Sequence, residues 1–158
     1  MSYDFNADEI FEMAEQLERN GAKFYRQAAE SVSEPDRKAF LEQLAAMEDD
    51  HEKTFAAMRA DLGAGEKQST VFDPNGDAVL YLKALADTRV FFEKEIDLST
   101  MEEILKAAIE AEKDSIVFYL GMKSAVPEER GKSRLDAINK EEMGHIRLLS
   151  QKLVQYKL

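Results

Sequence analysis

Residues 141–145 read Glu141-Glu142-Met143-Gly144-His145, EEMGH, and hold one of only two histidines in the chain. The other sits in Glu48-Asp49-Asp50-His51, EDDH, in the same Glu-x-x-His frame and 94 residues earlier. Spending every histidine on one frame asks whether the rest of the chain repeats at that interval. It does. Laying residues 9–51 over 103–145 without a gap pairs Glu9 with Glu103, Ile10 with Ile104, Ala14 with Ala108 and Glu18 with Glu112. It also pairs Phe24-Tyr25 with Phe118-Tyr119, Leu41 with Leu135, Glu48 with Glu142 and His51 with His145. Helical composition alone could match Glu and Ala, but not both histidines and both Phe-Tyr pairs. The chain reads as two duplicated halves related by an approximate two-fold axis.

Each half carries the pattern of a helical hairpin. Helix-start signals recur as Asn6 with Glu9, Ser33 before Pro35 and Asp36, and Ser99 with Glu102. Their side chains can accept from the free N–H groups of a first turn. Gly63 and Gly65, Pro127, and the DPNGD run from Asp73 to Asp77 are stop and turn signals. The expected helices span 7–32, 34–62, 100–126 and 129–156, paired by very short connections that make each pair antiparallel. Between the pairs, residues 63–98 suit a crossover along the bundle, with a short helical stretch from about Ala78. This is an all-α, ferritin-like four-helix bundle of two hairpins joined by a long crossover. Residues 1–158 read as a single domain, long enough to bury about two-thirds of the unfolded surface.

Four inward stripes follow from steps of three and four. Helix 1 shows Phe11, Ala14, Glu18, Gly21, Tyr25, Ala28 and Val32, and helix 3 shows Leu105, Ala108, Glu112, Ser115, Tyr119, Met122 and Val126. Helix 2 shows Leu41, Leu44, Glu48, His51, Phe55, Met58 and Leu62; helix 4 shows Leu135, Ile138, Glu142, His145, Leu149 and Lys152. Glu18 and Glu48 each lie roughly 20 Å from their shared turn at about 1.5 Å per residue, and Glu112 and Glu142 share that depth by the repeat. Four carboxylates and two imidazoles therefore converge on one layer if the hairpins pack side by side.

Four ionised glutamates in a core cost several kcal/mol each unless neutralised, and two divalent cations cancel their charge. One Glu from each of two helices and a Glu-x-x-His from each of the other two is the ligand set of di-iron and di-manganese carboxylate bundles. Glu18, Glu48, His51, Glu112, Glu142 and His145 are the candidate metal ligands. Tyr25 and Tyr119 read either as core aromatics or as hydroxyls that donate to a ligand carboxylate. Asp49, Asp50, Glu52 and Glu141 fall off the stripes and read as a solvated face.

The formal charge of −11 opposes binding to nucleic acid or to an anionic membrane surface. No cysteine is present, which removes disulfides, thiolate metal sites and cysteine nucleophiles. No run of about 18 apolar residues is available to span a bilayer, and MSYDFNAD lacks a signal pattern, so a cytoplasmic location is expected.

EQLERNGAKFY, EDDH, EAEKDSIVFY and EEMGH, in this order, resemble the ferritin-like domain of the rubrerythrin family over nearly the whole chain. The resemblance implies two iron ions, with manganese or another divalent metal as substitutes, in a centre that reduces hydrogen peroxide or oxygen. It implies Glu18 and Glu112 as terminal ligands, Glu48 and Glu142 as bridging carboxylates, and His51 and His145 completing one metal each. A homodimer and a separate electron-donor protein are the implied partners, since a cysteine-free chain cannot carry the family's rubredoxin domain. An additional family glutamate one turn after the helix 3 ligand is here Ser115. Alternatives are a ferroxidase or iron-storage protein, and a bundle that binds metal without catalysis. The crossover is long enough for helices to be exchanged between two chains.

Overall fold

The computed structural model of the chain describes residues 7–62, 77, 80–82, 84, 97–125 and 132–157. Four long helices carry the architecture: α1 Ala7–Ser31, α2 Pro35–Ala60, α3 Met101–Ala125 and α4 Lys132–Lys157. There is no strand among the described residues. α1 packs along α2, α3 along α4, and α1 meets α3 across the bundle. Within the crossover, Asp77, Leu80, Tyr81, Leu82 and Ala84 are helical, while Asn6, Gly63, Gly65, Asp73–Gly76, Ala78 and Pro127 lie outside the described residues.

The helix ends show which signals act. Pro35 opens α2, where its fixed φ and missing N–H cost nothing, and Glu34 precedes it without a side-chain cap. At α3 the capping oxygen comes from Thr100, not Ser99: Glu103 N–H donates to Thr100 Oγ1 at 3.2 Å. Ser99 instead donates its backbone N–H to Asp97 Oδ1 at 2.8 Å, forming the turn before the cap. The antiparallel sense of the first hairpin is fixed at its open end by Arg59 near the end of α2. Its Nε and Nη2 donate to the two Asp8 oxygens at 2.8 and 3.0 Å, and its Nη1 donates to Glu15 at 3.0 Å. In the second hairpin Lys123 Nζ reaches Asp136 at 2.6 Å.

Two apolar layers fill the ends of the bundle. One joins Ile10, Phe11, Ala14 and Leu17 of α1 to Phe55 and Met58 of α2, Phe118 and Met122 of α3, and Leu135 and Ile138 of α4. The other joins Phe24 and Ala28 of α1 to Leu41 and Leu44 of α2, Ile104 and Leu105 of α3, and Leu149 of α4. Every long helix contributes to both layers, so the two hairpins share one core. The buried face of α1 is wider than the expected stripe, since Ile10, Leu17, Phe24 and Ala29 join it. Val126 lies outside the described residues, and Lys152 is exposed. Burying each large apolar side chain stabilises by about 1.5–3 kcal/mol. That stabilisation supports the layer between the two, which is polar.

Among the described residues, the crossover meets this core through Leu82, buried in the first of these layers, and through a close approach of Tyr81. Tyr81 lies against Gly121 of α3 so tightly that a Cβ at position 121 would collide with its ring. The Tyr81 hydroxyl donates to the Val117 carbonyl at 3.1 Å, one turn earlier on the same helix.

Candidate metal centre

Glu18 of α1, Glu48 and His51 of α2, Glu112 of α3, and Glu142 and His145 of α4 are all buried in the layer between the apolar ends. All six sequence-predicted residues are thus brought together. Atoms from Glu18, Glu48, His51 and Glu142 lie within 4.8 Å of one another, as do atoms from Glu48, Glu112, Glu142 and His145. Glu48 and Glu142 belong to both groups. Each remaining residue belongs to one group, so the cluster has two halves that share two carboxylates.

Distances inside the cluster are those of groups aimed at a common centre. His51 Nδ1 lies 2.9 Å from Glu142 Oε1 and 3.5 Å from Glu18 Oε2. His145 Nδ1 lies 3.3 Å from Glu48 Oε1, 3.4 Å from Glu112 Oε1 and 3.3 Å from Glu142 Oε2. The two rings face each other, with centroids 5.7 Å apart and planes 18° from parallel. Gly21 opens room here, because a Cβ at that position would sit 3.2 Å from Glu48 Oε2.

Both tyrosines reach the cluster, and each crosses to the other hairpin. The Tyr25 hydroxyl donates to Glu112 Oε1 at 2.6 Å, and the Tyr119 hydroxyl donates to Glu18 Oε1. Each ring packs in an apolar layer while its hydroxyl donates to a glutamate, so the core-aromatic and the hydroxyl-donor readings coexist. Burial, and then the surrounding carboxylates, push both phenols well above their usual range, so both stay protonated and keep the proton they donate to these carboxylates.

The electrostatics show how the cluster distributes its charge. Burial, and then Glu18 and Glu142, raise the Glu48 carboxyl well above the usual carboxylate range. Burial, and then Glu112 and Glu18, push Glu142 up to about 8. Burial opposes a charged imidazole, yet Glu142 and Glu18 outweigh it and carry His51 to about 11, while Glu112 and Glu142 carry His145 to about 9. Burial also opposes ionisation of Glu112, but Glu142, His145 and Tyr25 together hold its carboxyl below the usual range. The carboxylates and imidazoles thus hold protons tightly against one another.

The donor set fits a pair of divalent cations. Among the described residues no well-aligned hydrogen bond reaches Glu18 Oε2, Glu48 Oε1, either Glu142 oxygen or Nδ1 of either histidine, even though His51 Nδ1 lies 2.9 Å from Glu142 Oε1. Buried polar atoms left so are costly unless something else satisfies them. All six point into one layer, and carboxylate with imidazole is a donor set for iron or manganese.

Several contacts around the cluster were not anticipated. Glu141, expected on a solvated face, is exposed, yet its Oε2 lies 2.5 Å from His51 Nε2 on the neighbouring hairpin. Stripe counting sorts residues by where Cα–Cβ points and overlooks a long side chain that reaches sideways to the outer edge of a buried ring. Asp49 and Glu52 likewise engage Arg26 and Arg19 of α1. Asn139, one turn before Glu142, is buried with both amide atoms partnerless. Ser115, at the position of the additional family glutamate, donates its hydroxyl to the Ala111 carbonyl at 3.0 Å, back onto its own helix.

Comparisons with known proteins establish the fold and the family. A crystal structure from Thermotoga maritima, described as a ferritin-like diiron-carboxylate protein, superposes with a TM-score of 0.71 at 24% identity, covering 99% of each chain. The fold is therefore ferritin-like. The rubrerythrin family model matches residues 9–153, and the chain belongs to that family. No curated protein matches it. No helix among the described residues is long and apolar enough to cross a membrane.

Proposed function

We propose that the chain is a di-iron oxidoreductase that reduces hydrogen peroxide. The observation that carries this reading is the buried layer of four carboxylates and two imidazoles between two apolar layers, in which Glu18, Glu48, Glu142 and both histidines turn partnerless atoms toward one another. Glu18 and His51 would hold one iron, Glu112 and His145 the other, and Glu48 and Glu142 would serve both. A pair of ferrous ions held there would supply two electrons and Lewis acidity to a bound oxidant, and with two protons hydrogen peroxide becomes two waters.

The chain's own residues prepare this chemistry. Tyr119 donates to Oε1 of Glu18, whose Oε2 has no hydrogen-bond partner among the described residues, and Tyr25 donates to Oε1 of Glu112 from the opposite side. The carboxylates are thereby held in place before any metal arrives. Four negative charges offset two divalent cations, and the apolar layers above and below limit water. Re-reduction comes from a separate donor protein, and the working unit is a single-domain chain in a cytoplasmic homodimer.

Ser115 favours a second reading, oxidation of ferrous iron for storage or transfer, because its hydroxyl is committed to Ala111 and supplies no extra carboxylate to the cluster. Stopped-flow mixing of the iron-loaded protein with peroxide and, separately, with oxygen decides between them. Fast oxidation by peroxide at one peroxide per two ferrous ions supports the first reading. Oxidation by oxygen with indifference to peroxide, in a large mineral-filled assembly, supports the second.

A further inference from the structure

His51 and His145 occupy equivalent places in the two halves, and each turns Nδ1 inward. Their outward nitrogens differ in chemistry. Nε2 of His51 meets the Glu141 carboxylate at 2.5 Å. The repeat interval carries Glu141 back to Met47 of α2, which is half-buried against the apolar end layer. A thioether is a weak acceptor and carries no charge. Among the described residues, the ion-pair contacts of His145 all run through Nδ1.

A carboxylate that accepts an imidazole N–H fixes the tautomer, leaving the lone pair on the opposite nitrogen. It also holds the ring plane and makes the coordinating nitrogen a better donor. For His51 the opposite nitrogen is Nδ1, the one aimed at Glu18 and Glu142. Glu141 is 62% exposed, so water screens its charge. Its effect is therefore mainly to fix the orientation of the ring.

We infer that the two halves of the cluster are inequivalent: Glu141 is a positioning residue for His51, and a divalent cation fills the Glu18–His51 half before the Glu112–His145 half. This rests on the reading of the cluster as a metal centre, and it assigns an order that the duplicated ligands alone do not contain.

The full chain has only two histidines, so ring-labelled protein gives two Cε1–H resonances, assigned with His51→Asn and His145→Asn. Metal-free protein is titrated with Zn²⁺, which is diamagnetic and redox-silent. The His51 resonance completes its shift within the first equivalent, and the His145 resonance follows in the second. Glu141→Ala weakens the first site by about 10–100-fold and removes the order. Glu141→Gln, whose side-chain oxygen still accepts from Nε2–H, restores it in part. Met47→Glu gives His145 the missing acceptor and brings its shift into the first equivalent. In the Zn²⁺-loaded protein, where metal has displaced the Nδ1 proton, histidine ring ¹⁵N shifts report metal-bound Nδ1 and Nε2–H on His51, and Glu141→Ala moves the Nε2 shift, a readout that a merely structural role for Glu141 would not move. Simultaneous shifts in the unaltered protein, His145 responding first, or an order that survives Glu141→Ala each overturn the inference while leaving the metal centre intact. If neither resonance responds to Zn²⁺, the metal-centre reading fails and takes the inference with it.

Discussion

The α1–α2 hairpin and the α3–α4 hairpin are two copies of one plan, and they differ in an informative way. Facing the cluster they agree residue for residue: Glu18 and Glu112, Glu48 and Glu142, His51 and His145, Tyr25 and Tyr119. Around it they diverge. Gly21 stands opposite Ser115, Ala45 opposite Asn139, and Met47 opposite Glu141. Packing positions tolerate exchange, as Leu44 for Ile138 shows, because volume and apolarity are what a core layer requires. A layer with four buried carboxylates has no such freedom, since losing one group changes the charge balance of the whole.

The largest test of that contrast separates shared from half-specific groups. Glu48→Ala or Glu142→Ala, removing a carboxylate common to both halves, lowers bound iron from two per chain to below one by elemental analysis. His51→Ala or His145→Ala lowers it only to about one. Equal losses from all four variants would mean that the halves are not distinct.

Protonation offers the next largest effect. In the metal-free protein Glu142, His145 and His51 stand at about 8, 9 and 11, above ordinary values of 4.5 and 6.5. A group whose pKa is raised by folding stabilises the fold fully below its unfolded value and loses that contribution as pH climbs through the folded one. The melting temperature of metal-free protein therefore falls as pH rises from about 5 to about 9, with carboxylate repulsion returning as protons leave. Loading with iron or manganese removes this fall, because metal binding requires the deprotonated ligands. Calorimetry on both forms across that range checks the sign. A metal-free melting temperature that rises with pH would contradict it.

A smaller effect probes the crossed tyrosines. Tyr25→Phe and Tyr119→Phe each leave one carboxylate oxygen without its donor, at about 1–3 kcal/mol of stability in denaturant unfolding. Because the bonds are exchanged between hairpins, the two costs are close to equal. A large cost for only one would show that the duplication is less exact at this layer than the paired contacts indicate. The smallest effect concerns Asn139, whose amide atoms are buried without partners where the other hairpin has Ala45. Asn139→Leu, of similar volume and without polar atoms, is neutral or stabilising by about 1 kcal/mol. A clear loss would instead reveal a partner for that amide.

Much of this was legible before any coordinates. Helices, hairpins and the depth of the ligand layer follow from stripe spacing and a rise of about 1.5 Å per residue. Both constraints are local and repeated, which is why the six clustered residues could be named. The missed features depend on side-chain reach across helices. Glu141 sits on the wrong face of α4 by periodicity, yet it meets His51 because the imidazole presents a second nitrogen at the edge of the bundle. Each tyrosine could be placed two turns from a glutamate on its own helix, but its partner on the opposite hairpin depends on how the hairpins dock. Thr100 capping α3 in place of Ser99 turns on a backbone difference of one residue that composition does not encode.

The central claim is that the duplicated Glu and Glu-x-x-His residues form one centre for two metals. Anomalous diffraction at the iron edge from a single iron-loaded crystal tests it most directly. Two peaks per bundle, both contacting Glu48 and Glu142, with His51 on one and His145 on the other, is the predicted result. A single peak, or iron bound only by exposed acids outside this layer, would contradict it.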